Sequence, residues 1–405
     1  MKNSLLHYAC NTIAIYQAII YYFEIDNYYY FQNMKNKIIF ALLAALPIGA
    51  AAESAIYGQI RNSVSTGQVK IKGTAGTEKS ATATTINDHS SRIGFKGSEK
   101  LGGNLKAIWQ VESRIGMLEG NGRWASRDTF VGLDGSFGKL RVGRISNPLN
   151  AMDKHDFWLA QSPALGLKMN TRTAKRKVSA RYDTPEFGGL TAGIQYTPRD
   201  NANPSDAGIH AQPSREELDA GLDYKNKTSG VYAQLGYNIK KNSHTRNGSL
   251  KDGHAVRLAA GYDGKKLFIG GALQHTRGFE NGNQYLGYFT DGFNTYNGFT
   301  VNSDPAKAEG VKATDAAISA SYKTGNWVPK ISYAHGWPAK GLQSGSVLVD
   351  KFDQVIIGAD YVFSKRTSLR NQIGHIRTGN KTRLGNGHTG RVEQTAAQIA
   401  LHHRF

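Results

Sequence analysis

Residues 231–240 read VYAQLGYNIK, and the fold class follows from how they alternate. Val231, Ala233, Leu235, Tyr237 and Ile239 fall on one side of an extended chain, while Tyr232, Gln234, Gly236, Asn238 and Lys240 fall on the other. A period of two marks a strand with one apolar face and one polar or small face. The pattern recurs in both directions along the chain. Val256, Leu258, Ala260 and Tyr262 alternate with Arg257, Ala259 and Gly261. Leu105, Ala107, Trp109 and Val111 alternate with Lys106, Ile108, Gln110 and Glu112, and Val355, Ile357, Ala359, Tyr361 and Phe363 form a further row. No segment after Ala52 carries a sustained 3.6-residue apolar period.

The connections between these rows alternate as well. Short ones carry tight-turn residues, as at 99–103, 134–138, 185–189, 263–266, 324–326 and 364–366. Long ones are polar and rich in Gly and Asn, at about 67–88, 116–124, 146–175, 199–214, 241–251, 277–311, 337–351 and 378–390. Eight hairpins predict 16 strands. Short turns on one side and long loops on the other are the pattern of outer-membrane barrels. A closed barrel has no edge, so every backbone group is paired within lipid. Aromatic residues near strand ends (Tyr57, Phe95, Trp109, Tyr182, Tyr196, Tyr224, Trp327, Tyr333 and Tyr361) suit interfacial girdles. The expected fold is all-β: a 16-stranded antiparallel transmembrane β-barrel with an inward-folded third loop.

The chain has 405 residues, 50 Lys+Arg against 31 Asp+Glu, a net charge of +19, 40% hydrophobic residues and one Cys. That apolar fraction excludes a polytopic helical membrane protein, which needs several runs of about 20 apolar residues. Residues 34–52 read as a signal peptide. Met34-Lys35-Asn36-Lys37 is the basic start, 38–46 the apolar core, and Ala50-Ala51-Ala52 the cleavage site. Residues 1–33 hold seven Tyr and the lone Cys10, which no signal peptide needs. They are expected to be a mis-assigned extension preceding a true start at Met34. The barrel is then 53–405, without cysteine and with a net charge of +18, from 47 basic and 29 acidic residues.

Alternation places Arg61, Arg92, Lys96, Lys106, Arg114, Lys240 and Arg257 on the face away from lipid. A charge on the lipid face near the midplane would cost about 2–4 kcal/mol, so cations belong in the lumen or the loops. A barrel of 16–18 strands leaves an aqueous channel. The connection 146–175 carries Leu149, Met152, Phe157, Trp158, Leu159, Leu165 and Leu167, too apolar for a solvated loop. Folded against the wall it would narrow the pore and turn Asp153 and Asp156 toward the cations. Facing rings of fixed charge set ion preference, and the basic excess favours anions. The chain ends in QIALHHRF, with Ile399, Leu401 and Phe405 on one face. A terminal Phe on an alternating last strand is the form of signal read by the outer-membrane insertion machinery.

These residues resemble the trimeric general porins of Gram-negative bacteria, and among them the neisserial porins. The resemblance rests on AIYGQI (55–60), SRIGFKGSEKLGGNLKAIWQVE (91–112), FVGLDGSFGKLRVGR (130–144), VSARYDTPEFGGLTAGIQY (178–196), ISYAHG (331–336), GADYVFSKRTS (358–368), Phe405 and the leader MKNKIIFALLAALPIGAAA. It implies a homotrimer in outer-membrane lipid and lipopolysaccharide, passing small ions and solutes. It also implies a ladder of arginines opposite the third loop, falling here on Arg92, Arg127 and Arg144, with Arg61 on the first strand. Arg127 and Arg144 rest on the resemblance alone, because each shares parity with apolar neighbours. The run Thr173-Ala174-Lys175-Arg176-Lys177 stands where relatives tend to be acidic, and Lys175 and Arg176 would raise anion preference.

An enzyme would need a positioned Ser-His or Asp-His pair, and no motif fixes one. No cofactor or metal is expected. His402 and His403 are adjacent on a strand and point to opposite faces. The basic residues are dispersed rather than clustered on one element, which argues against nucleic acid. The remaining rival is an adhesin or receptor barrel acting through its long loops. The connection 277–311 carries Tyr285, Tyr288, Phe289, Phe293, Tyr296 and Phe299, enough to dock a partner. Packing of this loop on its own barrel is the simpler expectation.

Overall fold

The computed structural model describes residues 53–118, 124–160, 162–202 and 211–405. The expected extension 1–33 and signal peptide 34–52 lie outside the described residues. Sixteen long strands follow in order: β1 (Glu53–Gly73), β2 (Arg92–Gly102), β3 (Leu105–Arg114), β4 (Thr129–Gly135), β5 (Gly138–Ser146), β6 (Arg176–Asp183), β7 (Leu190–Thr197) and β8 (Glu217–Lys225). Then come β9 (Val231–Arg246), β10 (Ser249–Asp263), β11 (Leu267–Asn281), β12 (Gly310–Tyr322), β13 (Trp327–Gly336), β14 (Phe352–Val362), β15 (Thr367–Thr378) and β16 (His388–Arg404). Each pairs antiparallel with its sequence neighbour. β1 closes the barrel on β16, in register from Gln59↔Arg404 to Gly73↔Gly390.

The alternation read from the sequence is the alternation of exposure. Val231, Leu235 and Tyr237 on β9 are exposed, while Tyr232, Gln234 and Asn238 between them are buried. Around the barrel the exposed row is apolar (Val142, Ile194, Leu258, Leu273, Ile318, Ile373 and Ile399) and the other row is largely polar, charged or small. This inverts a soluble protein and is what lipid outside demands. The exposed apolar row is the outer row below; its alternate is the polar row.

The strands exceed expectation in two places. The predicted loop 241–251 is a hairpin: β9 and β10 run on through a bulge after Lys240 and turn at Asn247-Gly248. Both turn residues have positive φ (50° and 73°), the type I′ geometry that Asn-Gly favours. The predicted loop 67–88 is also mostly paired, because β1 continues against short strands at 76–79 and 83–88. Tyr57 does not join an interfacial girdle. It lies in the polar row, where its hydroxyl donates to the Glu112 carboxylate (3.0 Å). The backbone N–H and C=O of Phe405 pair with Gly58 (both 3.1 Å). Its ring covers Gly58 so closely that a Cβ there would lie 2.3 Å from the ring, so only Gly fits.

Candidate functional site: a basic wall and the loops that face it

The connection 147–175 crosses one arc of the barrel, held by the polar row of β8 and β10–β16. It opens with a turn of 3-10 helix (Pro148–Met152) capped by the Asn147 side chain, and Asn147 also donates to Asp219 (2.8 Å). A second such turn follows at Pro163–Leu165, then α1 (Lys168–Thr173). Trp158 Nε1 donates to Ser332 Oγ (2.8 Å). Gln354 and Gln372 donate to loop carbonyls at Pro163, Gly166, Leu159 and Leu165 (2.8–3.1 Å). Leu149, Leu165, Leu167 and Met169 have no accessible surface. Full burial of each is worth about 1.5–3 kcal/mol, which explains why a connection should carry so many.

Two buried arginines pin this segment. Arg257 on β10 has no accessible side-chain surface; it pairs with Asp153 (2.7 Å) and donates to Leu149 O, Met169 O, Asn170 O and Thr173 Oγ1. Arg172 on α1 pairs with Glu280 and Asp315, donates to Thr276 Oγ1 (2.7 Å), and lies 4.5 Å from the centre of the Tyr285 ring. No sequence signal marked Arg172, which sits in an otherwise ordinary polar stretch.

A second connection packs on the same arc. Helix α2 (Gly282–Thr290) starts at a capping box in which Asn281 and Gln284 bond each other's backbone N–H. Its Tyr285, Leu286 and Phe289 are buried against the first loop and the wall. Phe289 meets Phe352 at 5.1 Å, and Asp291 accepts from Gln394 Nε2 (2.6 Å). The segment then reaches the turn that follows β1, where Tyr296 Oη accepts from the Ala75 N–H (2.9 Å). Tyr285, Phe289 and Tyr296 are therefore packed inside the fold, as the simpler expectation held, and are not an open docking surface.

Strands β2–β7 and the short-turn half of β1, which these loops leave uncovered, carry a row of cations. Arg61 and Arg92 share the Gln59 amide oxygen, turned toward both guanidiniums (3.0 and 3.2 Å). Arg92 lies 3.6 Å from Glu112, and Arg127 pairs with the same carboxylate. Lys96 sits over the Tyr57 ring (5.4 Å). Arg114 lies 3.6 Å from Asp88. Lys106, exposed near the short-turn end, shares the polar row through its register with Asp134. Arg144 stands apart. It shares the exposed row with Leu140 and Val142 and donates to Ser126 O (3.1 Å). Its neighbour Arg141 takes the polar-row position, with Asp183 shared between Arg141 and Arg181. Parity alone points to Arg141.

The charges on the loop side are muted. Asp153 is paired with Arg257. Burial, and then the Asp153 charge, push the Asp156 carboxyl up to about 7. Burial lifts Asp153 to about 6 despite Arg257. Of the basic run, Arg176 pairs with Asp128 (2.7 Å), Lys177 with Glu217 (2.5 Å), and the Lys175 backbone N–H with Asn147 Oδ1 (3.0 Å). Two of the three run cations are thus matched by wall acids, which reduces what the run can add. Among the described residues no group of three or more His, Cys, Asp or Glu is placed to hold a metal ion.

The sequence matches the family model described as Gram-negative porin over residues 40–381. It is 37% identical over 392 residues to the major outer membrane protein P.IB of Neisseria sicca, covering 92% of this chain and 100% of the relative. It is 35% identical to the protein of that name from Neisseria meningitidis serogroup B (strain H44/76), with the same coverage. Among solved structures, the anion-selective porin from Comamonas acidovorans aligns with a TM-score of 0.61 at 22% identity, over 87% of this chain and 100% of that one. In-vitro folded OmpT of Vibrio cholerae, described in its trimer form, aligns at 0.56 and 13% identity, over 88% and 100%.

Proposed function

This chain belongs to the Gram-negative porin family, and on that premise we propose that it is an anion-favouring general diffusion channel whose third loop constricts the pore. Its place is the outer membrane, and its family is one of passive channels rather than enzymes. The polar row is read as the lumen lining, and the connection 147–175 as folded into that lumen. One observation carries the reading: the loops and the excess of wall cations over wall acids occupy different arcs. The 147–175 segment and α2 cover β10–β16, where Arg257, Lys330 and Arg370 meet Asp153 and Asp360, while Arg61, Arg92, Lys96, Arg114, Arg127, Arg141, Arg176 and Arg181 line β1–β7 against the acids Asp88, Glu112, Asp128 and Asp183. A solute passing the gap therefore meets a net positive wall and a loop whose acids are paired or partly protonated, which lowers the barrier for anions.

The same reading makes the protein a homotrimer set among outer-membrane lipid and lipopolysaccharide, with Phe405 offered to the insertion machinery. The resemblance to trimeric general porins supports this. Reconstitution into planar bilayers tests the pore. Stable openings arriving in groups of three are expected. A folded barrel that never conducts would favour the adhesin or receptor reading instead. A trimer should also run as a high-mass band unboiled and as a single chain after boiling.

A further inference from the structure

We propose that the cavity beneath the first turn of the 147–175 connection holds a small zwitterionic amino acid, with its ammonium on Asp223 and Gln234 and its carboxylate on Arg181. The proposal rests on the reading of the polar row as the lumen lining, and it names a solute class for that lumen. The cavity measures about 100 Å³. A water claims about 30 Å³ in the liquid, so the space suits glycine or alanine and excludes a branched side chain. Gly193 on β7 and Gly221 on β8 stand opposite each other and leave its floor without side chains. The 3-10 turn roofs it with Pro148 and Ala151. A Cβ on Gly221 would lie 2.6 Å from Pro148 Cβ, so the roof can settle only over a bare floor.

The two ends of the cavity carry opposite charge. At one end Arg141 and Arg181 share Asp183, and two cations against one carboxylate leave a net positive charge. Arg181 donates from Nε and Nη2 to Asp183 (3.0 and 2.7 Å) and from Nη1 to Ser146 O (2.8 Å). Of the five guanidinium donors, one N–H then remains on each terminal nitrogen, the pair that can grip a carboxylate in bidentate fashion. At the other end stands Asp223, which no ion pair joins to a cation among the described residues. It accepts from Gln234 Nε2 (2.5 Å), while Gln234 Oε1, in a side chain only 5% exposed, has no partner. A buried acceptor without a donor is costly, and one ammonium group supplies donors to it and to the carboxylate together. Arg181 Nη2 reaches over Gly193, 3.4 Å from where its Cβ would be. Asp223 stands diagonally across from Gly193 on the next strand, about 7–8 Å away. That gap exceeds the roughly 4 Å of a direct ion pair, and one α-amino acid, hydrogen-bonded at each end, bridges it. A lone cation would be repelled by the arginines and a lone anion by Asp223, so neither half alone matches the site.

The test uses the folded full-length barrel in uncharged detergent and reads binding by saturation-transfer NMR, which needs no conduction. Glycine is titrated beside acetate, which lacks the ammonium, and methylammonium, which lacks the carboxylate. Glycine should bind about tenfold more tightly than either, the worth of one charge-assisted contact. Asp223→Asn and Gln234→Leu should each weaken glycine about tenfold for the same reason, and the second variant serves if the first fails to fold. Lys72→Gln, whose side chain pairs with Glu393 on the outer row, should bind as the wild type does. Leucine at equal concentration should not displace glycine. Absence of glycine binding to the wild type, acetate or methylammonium binding as tightly as glycine, displacement by leucine, or unchanged binding by a folded Asp223→Asn or Gln234→Leu variant would overturn the site. Bilayer conductance is measured on the same proteins. A channel that conducts but binds no glycine overturns this site and leaves the pore reading standing, whereas a barrel that binds glycine but never conducts sinks the pore reading and leaves the site.

Discussion

Glu112 holds Arg92 and Arg127 on the basic wall and also accepts the Tyr57 hydroxyl. Replacing it with Gln keeps the shape and removes the charge, so Glu112→Gln should shift the zero-current potential in a salt gradient further toward the anion value. The loop acids give a pH dependence of known sign. Burial holds Asp156 at about 7, so it is largely neutral at pH 5 and charged at pH 8. Lys168, pushed down to about 8 by its own burial, loses charge in the same direction. Anion preference should therefore fall as pH rises from 5 to 8, and Asp156→Asn should flatten that slope; a rising preference would refute the assignment. The linkage to stability has matching sign. A carboxyl raised above its unfolded value of about 3.9 contributes fully at acid pH, and the contribution is lost as pH rises through about 7. Arg172→Met would strand Glu280 and Asp315 without their partner. Breaking a buried pair costs about 3–5 kcal/mol, to be read as a lower unfolding temperature.

At the scale of elements, the strands were legible and the connections only partly so. Each wall residue must satisfy lipid on one side and polar surroundings on the other, and that requirement writes itself into sequence as a period of two. The same parity placed Arg61, Arg92, Lys96, Lys106 and Arg114 in the polar row, and it conflicts with the resemblance at Arg144, where the structure follows parity. Composition misled at 241–251. Polar, Gly- and Asn-containing residues looked like a loop, but Asn247-Gly248 is a hairpin turn, and the strands stay paired up to it. The 147–175 loop betrayed itself by its leucines. Helix α2 was harder, because only three large apolar residues of its buried face, Tyr285, Leu286 and Phe289, stand in a Gly- and Asn-rich stretch, and only the aromatic count hinted at packing. Since α2 lies over the same arc as the third loop, it should narrow the vestibule. Replacing 283–307 with a short Gly-Ser link is expected to raise single-channel conductance while Arg257 keeps the third loop in place. Unchanged conductance would show that α2 lies clear of the ion path.

At the scale of the whole molecule, the basic excess of the sequence is distributed rather than diffuse. Part of it lines the uncovered arc β1–β7, and part is neutralised across strands at the long-loop rim, where Lys241 meets Asp252 and Lys72 meets Glu393. The sequence reading gave the sign of the charge and the face it occupies. It could not give the split into arcs, because that depends on where two loops settle after the barrel closes. The split underlies the central claim, since a barrel with its cations spread evenly would show much weaker selectivity. The most direct test is the reversal potential of the reconstituted channel across a tenfold KCl gradient at neutral pH, where K⁺ and Cl⁻ have nearly equal mobility. A potential displaced toward the chloride equilibrium value is predicted; one displaced toward the potassium value would contradict the account.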